Sequence, residues 1–304
     1  MVKKSIWIYP CSDCIFSYNC GGITCCFEMA KCMSDLGADV RIEEIYKTKN
    51  HIYNNFITES INDTNIENII VIYGETVIGN PLNAKYVVRW ILGPFATPLI
   101  RSTWKPTDLV YYFNSDLKFK ENPEKVGNVY KLLNMFHFNP KIQNYNIPRF
   151  GTCFTIRKAF KFHKNPHVIH PAGSFEFGSN DQDTLIDIFN KYETFISYDP
   201  LNFMSIMAAA CGCISVVYKI EGLSKAEWSN TTLYAQYLKD RNQSEIYGIA
   251  YGLEEVEYAK RTMHLVREQI MDMIQYSKEK TIIPFLKDCD DFTNMPNTVD
   301  ANML

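Results

Sequence analysis

A stretch of 24 residues near the middle of the second half of the chain places polar residues between two apolar runs, at a spacing suited to phosphate chemistry. It spans residues 194–217, TFISYDPLNFMSIMAAACGCISVV, and predicts a strand that breaks at Asp199-Pro200. Asn202 or Ser205 then caps a helix that ends at Gly212. In α/β proteins, a helix that begins where a parallel strand ends directs N–H groups into the ligand-binding crevice. The pattern therefore predicts a phosphate-bearing ligand.

The first half of the chain predicts alternating strands and helices. Strands are expected over 4–10, 38–45, 68–73, 108–113 and 129–135, and helices over 23–36 and 84–92. These elements open with a βαβ unit and indicate a Rossmann-like domain over residues 1–145. A segment rich in Asn and Pro, 139–148, is the candidate linker.

The second half predicts another such alternation and a helical end. Strands are expected up to 156 and over 168–170, 195–196, 214–217 and 246–250, and helices over 184–192, 231–239 and 253–279. This predicts a second Rossmann-like domain over 146–252. Residues 253–304 are expected to form a helix that braces the domains, followed by a frayed tail from Asp290.

Composition disfavours several classes of protein. The formal net charge of −3 argues against a nucleic-acid partner, since such proteins usually carry a basic face. Neither a signal peptide nor a membrane-spanning segment is predicted, because no apolar run reaches about 20 residues. Ten cysteines are expected to be reduced thiols in a cytoplasmic protein, and Cys11-x2-Cys14 lacks the second pair that a zinc site needs. The chain also lacks the G-x-G-x-x-G dinucleotide fingerprint and the Walker G-x4-G-K-S/T loop, which disfavours a nicotinamide enzyme or a P-loop phosphotransferase.

The spacing of the residues around the predicted helix resembles a known family. Asp199 is followed by Ala208-Ala209-Ala210-Cys211-Gly212 and an apolar strand, which is similar to the Glu-x7-Glu-Ala-x-Ala-x-Gly pattern of nucleotide-sugar-dependent glycosyltransferases of the GT-B fold. Met207 occupies the second acidic position. Because that Glu is associated with the donor ribose in the family, the resemblance implies that another residue binds the ribose here.

Further segments resemble glycan-assembly glycosyltransferases of microbes and large DNA viruses. They are GNPLNAKYVVRWIL (79–92), FTIRKAF (154–160), His170-Pro171, SYDPLNFMS (197–205) and YGIAYG (247–252). The resemblance implies an α/β chain with two Rossmann-like domains facing across a cleft, the first for the acceptor and the second for the donor. It implies metal-independent transfer of a hexose or pentose from a UDP- or GDP-linked sugar to a hydroxyl of a growing glycan or glycoconjugate, without a cofactor.

A non-catalytic nucleotide- or glycan-binding module of the same fold is the alternative from another class. Met207 and the lack of an assured catalytic base keep this alternative open. A sugar-nucleotide epimerase of the same architecture is a further enzymatic alternative.

Two cations follow the first strand of the second domain. Arg157 and Lys158 can project from its carboxyl end and stabilise a departing nucleoside diphosphate, or they can form an ordinary solvated pair. The backbone N–H groups of residues 202–205, including those of Asn202, Phe203 and Ser205, are expected to bind the diphosphate, to cap their own helix, or both. Lys158 is the predicted catalytic cation.

Other candidate residues carry carboxylate, imidazole or glycine chemistry. Asp199 is expected to accept hydrogen bonds from donor-sugar hydroxyls or to form the Asp-Pro turn, and His170 is a candidate donor-site residue at a predicted strand end. In the first domain, Gly21-Gly22 permits close approach of a ligand. Asp13 or Glu75 is the candidate base for the acceptor hydroxyl in an inverting enzyme, and neither is required in a retaining one. For each carboxylate the alternative is an ordinary surface group.

Overall fold

The computed structural model describes residues 4–9, 21–43, 57–58, 66–93, 95–114, 130–164, 166–178 and 181–294. The chain divides into two compact units. Unit 1 comprises residues 1–137 and 275–304, and unit 2 comprises residues 138–274. None of the described helices is both long and apolar enough to cross a membrane.

Unit 1 is built on a parallel sheet in the order β3-β2-β1-β4-β5-β6-β7. Its strands are β1 (Ser5–Tyr9), β2 (Val40–Glu43), β3 (Ile57–Thr58), β4 (Ile69–Gly74), β5 (Tyr86–Ile91), β6 (Leu109–Tyr112) and β7 (Tyr130–Leu132). Its helices are α1 (Gly21–Asp35), α2 (Pro98–Arg101) and α9 (Ile283–Asn294). This strand order places β1 beside both β2 and β4, as in Rossmann-like sheets.

Helix α1 forms because its apolar residues recur at helical spacing, with Cys26, Met29, Ala30 and Met33 buried on one side. This side packs with Phe285 of α9 against one face of the unit 1 sheet. The other face has its own buried cluster, which includes residues of β1, β4 and β5. The sheet is therefore buried on both sides, as parallel sheets usually are.

Unit 2 is built on a smaller parallel sheet in the order β12-β11-β10-β8-β9. Its strands are β8 (Thr152–Thr155), β9 (Phe175–Glu176), β10 (Thr194–Ser197), β11 (Ile214–Val217) and β12 (Ile249–Tyr251). Its helices are α3 (Gln182–Lys191), α4 (Met204–Ala210), α5 (Lys225–Ser229), α6 (Ala235–Asp240) and α7 (Val256–Thr262), and α8 (Val266–Ser277) crosses the boundary at Ile274. Residues of α3 and α4 share a core with one sheet face, and Ala259 of α7 shares one with the other.

The helix predicted over 84–92 is wrong, because these residues form strand β5. Every residue of β5 is buried, including Arg89, whose Nε lies 2.8 Å from Asp108 Oδ2. A central parallel strand is buried on both faces and carries a continuous apolar run, so its periodicity resembles that of a buried helix. The β-branched pair Val87-Val88 and the aromatic residues on either side favour the strand.

Three other predicted elements also differ. The strand expected over 168–170 is not formed; Pro166 and Pro171 bracket this segment, and β9 is the strand beside β8. The helix expected over 231–239 begins later, as α6 at Ala235, and the separate short helix α5 ends before it at Ser229.

The helix expected over 253–279 is interrupted by a tight turn at Met263–Leu265, which separates α7 from α8. A π-helical turn at Lys278–Ile282 then leads into α9, which continues to Asn294. The tail is therefore helical from Asp290 to Asn294, and residues 295–304 lie outside the described residues.

Candidate functional site

The carboxyl ends of the strands of unit 2 lie along one edge of its sheet, because every adjacent pair is parallel. Arg157 and Lys158 follow β8, Asp199 follows β10 and Lys219 follows β11. Parallel α/β sheets bind ligands outside this edge. The predicted residues of the second domain are thus gathered at an edge suited to binding.

The turn between β10 and α4 is stabilised by hydrogen bonds within itself. Asp199 is 4% exposed, and its Oδ1 accepts from the backbone N–H of Leu201 at 3.2 Å. Asn202 Oδ1 accepts from the N–H of Met204 at 2.9 Å, but the cap position of α4 is Phe203, so neither Asn202 nor Ser205 occupies it. The indole of Trp228 donates to the carbonyl of Pro200 at 2.9 Å. These hydrogen bonds hold the turn in place from within the protein.

The backbone donors at the start of α4 are used by the protein. The N–H groups of Asn202, Met204 and Ser205 donate to acceptors within the turn, and the ring of Phe203 packs against Phe138 at 6.3 Å between ring centroids. This geometry matches the alternative in which the turn caps its own helix. Donors for a ligand must then come mainly from side chains.

Three buried side-chain atoms at this end of the sheet have no hydrogen-bond partner among the described residues. They are Thr155 Oγ1, Asn202 Nδ2 and Ser205 Oγ. Thr155 ends β8 opposite Ser197, on the same sheet face as Cys153 and Phe195, which pack with Met204 of α4. Because buried polar atoms are almost always paired in proteins, these groups are available to the oxygens of a ligand or to water.

A basic segment follows β8 at the same edge. Arg157, Lys158, Lys161 and Lys164 are all exposed, and none forms an ion pair with a described carboxylate. Arg157 Nη1 lies 3.9 Å from Met204 Sδ at the first residue of α4. Four cations that lack a described carboxylate partner, in a chain of net charge −3, create a local positive field that favours anions.

Arg157 also has an unusual backbone conformation. Its φ is +37°, in a region that costs a non-glycine residue about 1 kcal/mol or more. Such strain persists where the surrounding structure requires a particular placement of the side chain. Here it coincides with the contact between the guanidinium and Met204.

His170 and the neighbouring His167 are each paired with a tyrosine at a strand end. His170 Nδ1 lies 2.8 Å from Tyr198 Oη, and His167 Nδ1 lies 2.7 Å from Tyr218 Oη. The ring of His170 stacks on Phe154 of β8, with 3.7 Å between ring centroids. The predicted residue His170 therefore lies at the carboxyl edge although no strand forms at 168–170.

The candidate residues of unit 1 lie at the carboxyl edge of its own sheet. Glu75 follows β4, is 6% exposed, and its Oε2 accepts from the N–H of Leu92 at 3.1 Å. Burial raises the pKa of Glu75. Gly21 and Gly22 are the first residues of α1 rather than loop residues, and a Cβ on Gly22 would lie 3.7 Å from the Leu92 side chain. Glu75 and Gly22 thus share Leu92 as a neighbour.

Two other predicted features lie outside the described residues or lack a metal-binding geometry. Asp13 and the pair Cys11 and Cys14 fall on residues that the structure does not describe. Over the ranges that are described, no three His, Cys, Asp or Glu side chains form a group that could hold a metal ion.

Sequence reasoning missed several residues at the carboxyl edge of the unit 2 sheet. Lys161 and Lys164 continue the basic segment, and their signal was the spacing of cations in RKAFKFHK. Thr155 lies within a predicted strand, and Tyr198 and Tyr218 lie just beyond predicted strands, so none of the three gave a signal of its own. Their importance depends on which partners the fold brings to them.

Comparisons with known proteins identify the fold. No protein-family model matches the chain, and no curated protein matches it in sequence. Among solved structures it is similar to T4 phage β-glucosyltransferase with UDP and Mn2+, with a TM-score of 0.54 and 11% identity over 94% of this chain and 99% of that one. The same enzyme with its UDP-glucose substrate gives a TM-score of 0.50 and 9% identity over 95% and 97%.

These likenesses show the fold. The predicted α/β class is confirmed, with two parallel sheets flanked by helices as in the GT-B glycosyltransferases.

Proposed function

We propose that this GT-B chain is a glycosyltransferase that binds a nucleoside diphosphate sugar at the carboxyl edge of the unit 2 sheet. The observation that carries the proposal is that the basic segment lies beside buried hydroxyl and amide groups that have no partner among the described residues. Arg157 contacts the first residue of α4, within two residues of Asn202 and Ser205. Cations and neutral donors at one strand-end edge are the groups that recognise a diphosphate.

The diphosphate is the leaving group of the proposed reaction. As the bond to the sugar breaks, negative charge grows on the terminal phosphate oxygens, and fixed cations stabilise this charge more than they stabilise the bound substrate. We assign this role to Lys158, with Arg157 as the main ground-state contact because its guanidinium is held near Met204. Asp199 and His170 are proposed to bind the donor.

We assign the acceptor to unit 1. Glu75 is the proposed base for an inverting reaction, since its raised pKa brings its proton affinity closer to that needed at neutral pH. Gly21 and Gly22 at the start of α1 leave room for the acceptor to approach. Asp13 is the second candidate base. In a retaining reaction, the diphosphate itself would serve as the base.

The proposed donor is UDP- or GDP-linked and carries a hexose or pentose. The proposed acceptor is a hydroxyl of a glycan or glycoconjugate, in keeping with the resemblance to glycan-assembly enzymes of microbes and large DNA viruses. The fold supports this class of donor, since the similar T4 phage enzyme binds UDP-glucose. We further propose that transfer needs no metal and takes place in the cytoplasm, with neither a nucleic-acid partner nor an integral membrane segment.

A thermal-shift series tests donor binding. We expect UDP or GDP to raise the melting temperature, with the same rise in EDTA as in Mn2+. A rise in melting temperature that appears only with Mn2+ would contradict metal independence but would still support a donor site. No rise with UDP, GDP, CDP, dTDP or their common sugars at millimolar concentration would contradict the proposal.

Lys158→Ala tests the leaving-group role in turnover. With the donor that the shift series selects, we expect kcat to fall about tenfold. The melting temperature should not change, because Lys158 is exposed and forms no ion pair with a described carboxylate. Lys141→Ala is the matched control, since Lys141 is an exposed lysine of unit 2 already paired with Asp183 at 3.0 Å. Equal kcat values for the two variants would remove Lys158 from the mechanism.

A non-catalytic binding module is the second candidate, and the position of Met207 favours it. Met207 is 3% exposed and packs in the core with α3, so no carboxylate from this position can bind a ribose. Selective nucleotide binding without sugar transfer to any glycan would favour this module over the enzyme.

A further inference from the structure

Two tyrosines at neighbouring strand ends each hold a histidine from the segment between β8 and β9. Tyr198 follows β10 and pairs with His170, whereas Tyr218 follows β11 and pairs with His167. The two phenol rings stack with 5.1 Å between centroids. The molecule therefore contains the same arrangement twice, and one copy can serve as a control for the other.

The direction of the first hydrogen bond follows from the donors around it. Tyr198 Oη accepts from the backbone N–H of Ile169 at 2.9 Å and also interacts with the backbone N–H of His170, so its acceptor positions are used and its own proton is left for donation. Within the described chain, the imidazole Nδ1 of His170 is the acceptor that lies within reach. Because an accepting Nδ1 carries no proton, neutral His170 must carry its proton on Nε2.

The ring of His170 is also fixed in orientation. It lies nearly parallel to Phe154, with an interplanar angle of 12°. Phe154 stands on β8 three residues before Arg157, so the imidazole belongs to the same sheet edge as the basic segment. His170 is half-buried, and its Nε2–H is the group of the ring left for a further partner.

We infer that Tyr198 is a positioning residue that holds His170 as the Nε2–H tautomer, and that this N–H donates to a phosphate oxygen of the bound nucleoside diphosphate. The second part rests on the proposed function, whereas the first part does not. A donor held in one tautomer and one orientation avoids the ordering entropy of a free side chain, and an anionic acceptor strengthens the bond.

Nitrogen-15 NMR of the full chain with isotopically labelled histidines tests the positioning role of Tyr198 without a ligand. The chain has six histidines, and His170→Gln identifies the His170 signals. We expect wild-type His170 to show a protonated Nε2 and an unprotonated Nδ1, and Tyr198→Phe to mix the two tautomers. Tyr218→Phe should alter His167 and leave His170 unchanged. An unchanged His170 tautomer in Tyr198→Phe would overturn the positioning role.

Titration with UDP and with GDP tests the contact to the donor. We expect the nucleotide that binds to shift the His170 Nε2 signal, and Tyr198→Phe to raise its Kd about three- to tenfold, the loss of roughly one hydrogen bond. Tyr218→Phe should keep the wild-type Kd, and melting temperatures show whether each variant is folded. His170→Gln, which keeps an N–H donor, should bind more tightly than His170→Phe.

The two possible failures are distinguishable. If UDP or GDP binds without shifting the His170 Nε2 signal, the contact between His170 and the donor is wrong, but the proposed function still stands. If neither UDP nor GDP binds the wild type, both the contact and that nucleotide assignment are wrong, while the tautomer measurement still decides the role of Tyr198.

Discussion

The two sheets end in carboxyl edges of opposite chemistry. At the edge of unit 1, the described candidate is a buried carboxylate, Glu75, which accepts a backbone N–H from Leu92. At the edge of unit 2, cations such as Arg157 stand beside hydroxyl and amide groups that have no partner among the described residues, including Ser205 Oγ. Both edges follow from the same parallel arrangement of strands.

This difference shows how one architecture supports two kinds of chemistry. Parallel strands open their carboxyl ends to a ligand whatever the sequence, so the fold supplies the position of a site. The residue that follows each strand then determines what binds there. A buried carboxylate with a raised pKa is suited to accepting a proton, whereas exposed cations with buried neutral donors are suited to a phosphate.

The largest expected effect concerns the carboxylate of unit 1. Glu75→Gln should lower the rate of sugar transfer about 100-fold and leave the Kd for UDP or GDP unchanged, because the amide can still accept from Leu92 but cannot take a proton. Steady-state transfer and nucleotide titration measure the two quantities. An unchanged rate of transfer would mean that the diphosphate, not Glu75, takes the proton of the acceptor hydroxyl. The two edges would then not differ in the way proposed.

The same variant gives a stability test whose sign follows from burial. The raised pKa of Glu75 lies above that of the unfolded chain, about 4.3, so the ionised carboxylate is less favourable in the folded state. The contribution of Glu75 to the free energy of unfolding should therefore be greatest below that pH and fall as pH rises through the folded-state pKa. Glu75→Gln should lack this fall, which chemical denaturation across the pH range would show.

The sequence predicted the outline of the fold where local patterns and tertiary structure agree. The βαβ opening and the strand-turn-helix at 194–217 both form, and the described turns carry suitable residues, Gly37 after α1 and Asp199 after β10. The prediction failed for β5, where burial on both faces removes the alternation that identifies a strand. Arg89 added to the error, because nothing local indicates that Asp108 will pair with it in the core.

The candidate site was only partly predictable for a related reason. Strand ends can be located from the sequence, and this found Arg157, Glu75 and Asp199. Partners distant in the chain cannot be located in this way, and Tyr198 pairs with a histidine 28 positions away in the sequence, His170. Whether a polar group has a partner at all, as at Ser205, is a property of the folded packing.

A smaller effect is expected at the strained cation of unit 2. Arg157→Ala and Arg157→Gly should both raise the Kd for the nucleoside diphosphate by about 10-fold or more, since each removes a charged contact. They should differ in stability, because glycine accepts a φ of +37° whereas alanine does not. We expect the glycine variant to be more stable than the alanine variant by about 1 kcal/mol in chemical denaturation.

The alternative outcome for this pair is equally specific. If both variants bind the nucleotide as the wild type does, the left-handed conformation of Arg157 serves only the local turn. The positive field of unit 2 would then have to act through the remaining cations of its basic segment.

The smallest expected effect compares two buried serines of unit 2. Ser205 and Ser215 are 4% and 0% exposed, and neither hydroxyl has a partner among the described residues. Ser205 lies in the first turn of α4 at the carboxyl edge, whereas Ser215 lies inside β11.

Ser205→Ala should therefore raise the Kd for the diphosphate about three- to tenfold, the value of roughly one hydrogen bond, and Ser215→Ala should not change it. Both substitutions remove an unpaired polar atom from the core, so neither should lower the melting temperature substantially. Isothermal titration with the two variants measures the difference in Kd. Equal affinities would show that an unpaired hydroxyl at this edge marks no ligand, and that the contrast between the two sheets rests on their charges alone.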